Sequence, residues 1–145
     1  MMHLEELLHK HFGYSSFRPG QKEVIEKLIE GQDVIALLPT GMGKSLCYQL
    51  PGYIFRKPVL IVSPLLSLMQ DQVDQMKRLG EKRIVALNSF LNNEQKKHAV
   101  HFLEQYRFIF ISPEMLLQPF VMQKIAQMEL SLIVVDEAHC ISQWG

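Results

Sequence analysis

The chain has 145 residues, enough for one globular domain but not for two. Its 15 basic side chains balance 15 acidic ones, so no net charge attracts nucleic acid or an anionic membrane. Neutrality does not exclude DNA, because backbone amides also hold phosphates. No run approaches the roughly 18 apolar residues of a membrane span, and Glu5 and Glu6 stand where a secretion signal would be basic. We therefore expect a cytosolic protein, with Cys47 and Cys140 as buried free thiols.

The N-terminal region has the apolar spacing of two helices. The first is predicted from Leu4 to near Gly13 and is followed by a loop. The second is predicted to begin at Pro19, which suits the first helical position, and to be capped by Gly31. Its predicted buried stripe consists of Val24, Ile25, Leu28 and Ile29.

The remaining chain alternates short apolar strands with helices. A helix is predicted from Lys44, bent or interrupted at Pro51, and another over 65–79 with Leu68, Val73 and Met76 facing inward. Strands that are apolar throughout and separated by helices predict an α/β fold, a parallel sheet covered on both faces. Further helices are predicted over 92–105 and 119–128, and strands over 33–37, 59–62, 83–87, 108–111 and 130–135.

A glycine-containing loop follows the first predicted strand. Gly41 and Gly43 allow close backbone approach, and successive amides at the following helix start form a nest for an anion. Lys44 would place its ammonium on the β- and γ-phosphates of a nucleotide, and the Ser45 hydroxyl would ligate magnesium. The usual pattern has glycine where this chain has Leu38, so a turn without a ligand is the alternative.

Two carboxylates follow the last predicted strand, at the edge where a parallel sheet binds ligands. Asp136 would hold magnesium directly or through water, and Glu137 would orient or deprotonate the attacking water. An acidic pair capping a helix start is the alternative. His139 either couples the phosphate site to another part of the protein or is a structural histidine. Together with the glycine-containing loop, these residues predict magnesium-dependent hydrolysis of a nucleoside triphosphate.

Five segments share the motifs of one family: 12–21, 38–45, 63–72, 111–114 and 136–145. In this order they resemble the adenine-recognition motif and motifs I, Ia, Ib and II of superfamily 2 helicases. The last segment also resembles the start of the aromatic-rich loop of the RecQ family in particular, and motif I of this family does not require glycine at its first position. The resemblance covers essentially all 145 residues and implies a RecA-like P-loop NTPase domain.

The resemblance implies that the nucleotide is ATP. Gln21 would read the adenine edge, Arg18 would support it and Tyr14 would stack on the base, while Phe17 is expected to pack in the core. Catalytic roles are implied for Lys44, Asp136, Glu137 and His139. The residues expected to contact ATP or its magnesium ion are Tyr14, Arg18, Gln21, Thr40, Gly41, Met42, Gly43, Lys44, Ser45 and Asp136.

The resemblance also implies DNA contacts at the ends of two strands. Serine hydroxyls and helix-start amides suit phosphates and carry no sequence specificity. Without the resemblance, the two Ser-Pro pairs would be plain strand terminators. Trp144 would stack on a base or pack against the domain. The residues expected at the DNA are Ser63, Pro64, Ser67, Gln70, Ser112 and Trp144.

The 145 residues stop soon after motif II, whereas the family continues. We therefore expect residues 1–145 to be the first RecA-like domain, incomplete at its C-terminus, without motif III or the arginine finger of a second domain. Because transition-state arginines contribute about 10³-fold or more in rate, we expect the chain alone to hydrolyse ATP very poorly. We also expect a gap in the sheet, with partner pairing, rearrangement or disorder around residues 130–145.

Three functions remain open from the sequence. The first is the ATP-binding lobe of a RecQ-like 3′-to-5′ DNA helicase in repair and recombination, located in the bacterial cytosol or nucleoid. The second is a non-catalytic module that binds a nucleotide or single-stranded DNA and needs a partner domain. The third is a lobe of an RNA helicase, against which the run from Cys140 to Trp144 argues.

Overall fold

A computed structural model of the chain describes residues 3–32 and 45–135. The chain divides into two compact units, Met1–Phe55 and Arg56–Gly145. The predicted strand at 33–37 and the glycine-containing loop lie outside the described residues.

The first unit contains three described helices: α1 (Leu4–Phe12), α2 (Gln21–Ile29) and α3 (Leu46–Ile54). The prediction for α1 is confirmed, because it ends at Gly13, whose φ of 78° is the left-handed conformation that glycine adopts without strain. The core of this unit joins all three helices through four buried side chains, Leu8, Ile25, Leu46 and Leu50.

Three details of this unit differ from the predictions. Pro19 does not begin α2; it precedes Gly20 in a turn, and the helix begins at Gln21. Ile29, predicted to be buried, is 37% exposed at the end of α2. Helix α3 continues without interruption through Pro51, because the residues from Leu46 to Gly52 are all buried and their packing outweighs the hydrogen bond that proline cannot make.

The second unit alternates strands and helices in the predicted order. Each strand is short and apolar, and the polar segment predicted as one helix over 92–105 divides into α5 and a short 3₁₀ turn. The short helix α6 was not predicted. The elements are β1 (Val59–Val62), α4 (Leu66–Arg78), β2 (Ile84–Leu87), α5 (Asn93–His101), the 3₁₀ turn (Leu103–Gln105), β3 (Phe108–Ile111), α6 (Pro113–Leu116), α7 (Pro119–Gln127) and β4 (Leu132–Val135).

The four described strands form one parallel sheet in the order β2-β3-β1-β4. Every residue of β1 and β3, the two central strands, is buried, as their apolar sequences predict. One face of the sheet packs on a core built from α5, α6 and α7 and centred on Ile109, Ile111, Leu103 and Val121. The parallel α/β sheet predicted from the alternating pattern is therefore confirmed.

Helix α4 packs with a different stripe from the predicted one. Val73 and Met76 are buried as expected, but Leu68 is 44% exposed and Met69 is buried in its place. Residues 69, 73 and 76 are spaced four and three apart, so they share one face of the helix. The prediction for Leu68 was wrong because position 68 is five residues before Val73, a spacing that places its side chain away from this face.

Strand β4 is less covered than its apolar sequence predicts. It pairs with β1, and its start is held by the Ser131 amide, which donates to the Pro58 carbonyl at 2.9 Å. Within the described sheet β4 lies at an edge, and Ile133 and Val135 are 62% and 44% exposed. Residues 132–135 are thus an ordered, paired strand, while the rest of the region expected to be perturbed, 136–145, lies outside the described residues.

Candidate nucleotide and DNA sites

A tight turn positions the glutamine expected to recognise adenine. The Gln21 amide donates to the Arg18 carbonyl at 3.1 Å, and Gln21 Oε1 accepts from the Arg18 amide at 2.8 Å. Gly20 has φ 87° at the third position of this turn and Pro19 stands at the second, which is the residue pattern of a type II turn. Gln21 is only 3% exposed, so its carboxamide is held at the start of α2 with little freedom.

The other two residues of the predicted adenine site are more open. Tyr14 is 55% exposed in the loop after α1, and Arg18 is exposed at the turn. Phe17 packs against the core of the first unit, as predicted. An open concavity of about 420 Å³ lies beside the turn, but among the described residues its lining includes Arg18 and neither Tyr14 nor Gln21. This concavity therefore involves only one of the three side chains, and the adenine site stays a prediction.

Only one residue of the predicted phosphate and magnesium site lies in the described part of the chain. Ser45 directly precedes α3, and its hydroxyl makes no capping hydrogen bond to this helix. A serine in this position fits a magnesium ligand, which requires an oxygen that is not already engaged by the helix start. The other predicted residues lie outside the described ranges: Thr40, Gly41, Met42, Gly43, Lys44, Asp136, Glu137, His139 and, at the DNA, Trp144.

The described residues hold no other metal candidate. Within 3–32 and 45–135, no three His, Cys, Asp or Glu side chains come together as a metal site. Cys47, in the first turn of α3, is buried as predicted, and burial raises the pKa of its thiol to about 11. The Cys47 thiol is therefore neutral at physiological pH and suits packing rather than nucleophilic or metal chemistry.

The sheet brings its polar strand ends into one row. Leu87, Ile111 and Val62 are paired across β2, β3 and β1 in register. The next residue on each strand is polar, and the ladder extends to two of them: the Ser112 amide donates to the Leu87 carbonyl and the Ser63 amide to the Ile111 carbonyl. Asn88, Ser112 and Ser63 therefore lie side by side, about 5 Å per strand, along the carboxyl edge of the sheet.

Both predicted DNA-contact serines of this row are buried, at 3% exposure for Ser63 and 2% for Ser112. Ser112 Oγ accepts from the Met115 amide at 3.4 Å and caps α6, while Ser63 Oγ lies 3.5 Å from the Leu65 amide, the limit of a hydrogen bond. In this structure the two hydroxyls lie in the turns that follow their strands, and the DNA contacts expected of Ser63 and Ser112 stay predictions.

The more accessible predicted DNA residues belong to the start of α4. Ser67 is exposed in the first turn of this helix, whereas Pro64 and Gln70 are half-buried. Gln70 Nε2 donates to Asp74 Oδ1 at 3.0 Å, one turn later on the same helix. A phosphate could therefore meet the Ser67 hydroxyl and the first-turn amides of α4 without displacing a buried group.

Sequence reasoning missed the loop that follows β2, on the same edge. It contains the buried Asn88 and the exposed Phe90, and neither belongs to the motifs quoted above. A signal was present in the sequence, because Phe90 lies between the predicted strand 83–87 and the predicted helix 92–105, outside the apolar repeat of either element.

A family model described as DEAD/DEAH box helicase matches residues 18–145. The chain therefore belongs to the DEAD/DEAH box helicase family. It is 53% identical, over all 145 of its residues, to the probable ATP-dependent DNA helicase RecS of Bacillus subtilis, and 45% identical over 136 residues to the ATP-dependent DNA helicase RecQ of Haemophilus influenzae. The resemblance to RecQ proteins that the motifs indicated is confirmed.

The chain spans 29% of the length of RecS and 22% of that of RecQ. A crystal structure of a hypothetical ATP-dependent RNA helicase from Sulfolobus tokodaii superimposes with a TM-score of 0.76 and 17% identity, covering 97% of this chain and 42% of that one. This similarity supports the RecA-like fold alone. In the part of the chain that the structure describes, no helix has the length and apolar character needed to cross a membrane.

Proposed function

We propose that this chain is the ATP-binding lobe of a RecQ-like DNA helicase that couples hydrolysis of Mg-ATP to the unwinding of DNA. The observation that carries the proposal is the similarity along the whole chain to proteins named ATP-dependent DNA helicases. The 3′-to-5′ direction, the role in repair and recombination, and a location in the bacterial cytosol or nucleoid are parts of the same proposal and follow from the family.

For the nucleotide, the support from the structure is the Arg18–Gln21 turn. A carboxamide offers an NH₂ group that donates beside a carbonyl oxygen that accepts, and these match the paired acceptor and donor on the edge of adenine. Its Oε1 already accepts from the Arg18 amide, so adenine binding would share or exchange this hydrogen bond. The exposed Tyr14 would stack on the base.

In the phosphate and magnesium site, the roles follow from the motifs. Gly41 and Gly43 would let the backbone approach the phosphates, and Lys44 would neutralise them. Ser45 and Asp136 would be the residues that hold magnesium, whose positive charge would offset the negative charge of the phosphates. Glu137 would orient the attacking water, and His139 would couple this site to DNA binding.

For the DNA, the support is the carboxyl edge of the sheet. Polar residues follow three adjacent strands in register, and α4 begins at this edge with an exposed serine in its first turn. Such an edge offers hydroxyl and amide donors, which hold a phosphate backbone without reading its sequence. Trp144 would add a stacking contact.

For the 145-residue chain taken alone, we propose ATP binding with very slow hydrolysis. The transition-state arginine of this family comes from a second RecA-like domain, and its contribution is about 10³-fold or more. The alternative function, a non-catalytic nucleotide- or DNA-binding module, gives the same result for the isolated chain. A longer protein that contains this chain and a second RecA-like domain separates the two functions.

The test is a titration of the chain with Mg-ATP, followed by hydrolysis assays with and without DNA. We expect ATP to bind and Lys44→Ala to weaken this binding, while GTP competes poorly because Gln21 would not match guanine. DNA-stimulated hydrolysis should appear only in the longer protein. Robust hydrolysis of ATP by the 145-residue chain would contradict the proposal that turnover needs a second RecA-like domain. Stimulation by RNA but not by DNA would favour the RNA helicase function.

A further inference from the structure

The loop between β2 and α5 presents an aromatic ring at the carboxyl edge of the sheet. Phe90 lies near the middle of this five-residue loop, 88–92, and is 65% exposed. Its neighbour Leu91 packs against the core, so apolar surface is available to a side chain of this loop. Phe90 is exposed because of its position in the loop and not because the loop lies far from the core.

The loop is fixed at its beginning by Asn88, which is 1% exposed. Asn88 Oδ1 accepts from the Phe90 amide at 2.9 Å, and the Leu91 amide donates to the Asn88 carbonyl at 3.3 Å. Asn88 Nδ2 in turn donates to Sδ of Met69 at 3.3 Å, which ties the loop to α4. The backbone that carries Phe90 is thus held from the sheet side and from the helix side.

The loop is also fixed at its end. Asn92 Oδ1 accepts from the Gln95 amide, and Gln95 Oε1 accepts from the Asn92 amide, both at 2.8 Å, which is a complete capping box at the start of α5. A ring on a loop that is pinned at both ends loses little conformational freedom when it binds a partner.

The position of Phe90 relates it to the proposed DNA edge. Asn88 belongs to the same register row as Ser112 and Ser63, so the loop begins about 10 Å from Ser63, two strands away. The helix that Asn88 contacts through Met69 is α4, whose first turn carries the exposed Ser67. Phe90 is therefore an exposed ring beside groups suited to a phosphate backbone.

We propose that Phe90 is a nucleobase-stacking residue, which binds an unpaired base of single-stranded DNA while the start of α4 holds the backbone. A ring face accepts any base, and an unpaired base offers its own face at no cost in lost pairing. This inference rests on the proposed function, because it names a further contact on the same DNA edge. It predicts that Phe90 favours single-stranded over duplex DNA.

The experiment measures binding of the chain to a single-stranded oligothymidylate that carries one 2-aminopurine, whose fluorescence reports stacking. We expect Phe90→Ala to weaken binding about tenfold or more and to abolish the stacking signal. Phe90→Trp should retain both, whereas Phe90→Leu should retain neither, because it keeps the apolar volume without a flat ring. Affinity for a duplex of the same length should change little.

Controls separate this contact from a general effect. Phe120→Ala removes another exposed phenylalanine, 42% exposed at the start of α7, and should leave DNA binding unchanged. Because Phe90 has no charge, Phe90→Ala should keep the wild-type dependence of binding on salt. Melting temperatures of the variants should match that of the wild type, since the ring is mostly exposed.

The outcomes are distinct. If the wild type binds the oligonucleotide and Phe90→Ala or Phe90→Leu binds it equally well, Phe90 is not a stacking residue and the inference is overturned. In that case the exposed ring would suit a protein partner instead. If the wild type binds no DNA of any kind, the proposed function fails at this edge, and the inference fails with it.

Discussion

At the scale of single residues, buried polar side chains determine the shape of the carboxyl edge. Ser63, Ser112 and Asn88 each follow a strand, and all three are at most 3% exposed. Each side chain accepts from a backbone amide two or three residues later. Such local hydrogen bonds replace the ladder where the strand ends, so the chain can turn without leaving amides unsatisfied.

Asn88→Ala should be costly for this reason. The substitution leaves the Phe90 amide without its partner and removes the contact with Met69, which should reduce the free energy of unfolding by about 1–3 kcal/mol. Urea denaturation measures this change. Asn93→Ala, at the exposed first position of α5, is the control and should stay within about 0.5 kcal/mol of the wild type. Equal losses in both variants would show that the Asn88 hydrogen bonds do not stabilise the fold.

The Cys47 thiol should react slowly in the folded chain. Its pKa of about 11 lies above the ordinary value of 9.0. At a pH below both values, the fraction of thiolate is therefore roughly a hundredfold smaller in the folded chain than in the unfolded chain. Burial also protects the sulfur sterically. Iodoacetamide labelling at pH 8 of a Cys140→Ser variant, native and in urea, measures this. Because the folded pKa is raised, the contribution of Cys47 to stability is present below pH 9 and is lost as the pH rises towards 11.

Native labelling as fast as labelling in urea would contradict burial of Cys47. The sequence predicted this burial correctly, because Cys47 has apolar neighbours and cysteine favours the interior. It did not predict that Ser63 and Ser112 are buried, since serine occurs equally as a cap inside a turn and as an exposed phosphate contact. Their burial depends on the neighbouring strands and helices, which the local sequence does not specify.

At the scale of elements, adjacent residues of α4 test which stripe faces the core. Met69→Ala removes a side chain that is 1% exposed and should reduce stability by about 2–5 kcal/mol. Leu68→Ala, one position earlier and 44% exposed, should change stability by less than about 1 kcal/mol. Thermal or urea denaturation compares them. A larger loss from Leu68→Ala would restore the stripe that the sequence predicted.

The four described strands were predicted within one or two residues, because their uniformly apolar composition contrasts with the polar and Pro residues that flank them, while the strand predicted at 33–37 stays a prediction. The helices were less well predicted in detail. Pro51 was expected to bend or interrupt α3, and α6 was not expected at all. Helix propensity gives only the local free-energy cost of a residue such as proline. In α3 the burial of the surrounding residues outweighs this cost, so the helix continues.

At the scale of the whole molecule, zero net charge limits how DNA can be bound. The groups at the carboxyl edge are hydroxyls, amides and a ring, and these release few counterions. We therefore expect a weak dependence of DNA binding on salt. In a plot of the logarithm of the association constant against the logarithm of the salt concentration, the slope should be smaller in magnitude than about 3, as measured by fluorescence anisotropy. Ser67→Lys should increase the magnitude by about one. A wild-type slope near −6 would indicate many Lys or Arg contacts to phosphates, and the DNA would then bind a surface other than the carboxyl edge.

The sequence alone determined the class of the fold and the family. Uniformly apolar strands between helices require a parallel sheet, and the spacing of motifs along the chain does not depend on how the elements pack. The matches to DEAD/DEAH box helicases and to RecS and RecQ confirm that inference.

The tertiary structure decided the order β2-β3-β1-β4 and therefore which strand ends are neighbours. It also decided which polar groups at that edge are buried as caps and which remain open, and it brought Phe90 to the same edge. Strand order and burial depend on contacts between residues far apart in the chain, and local sequence patterns do not predict those contacts.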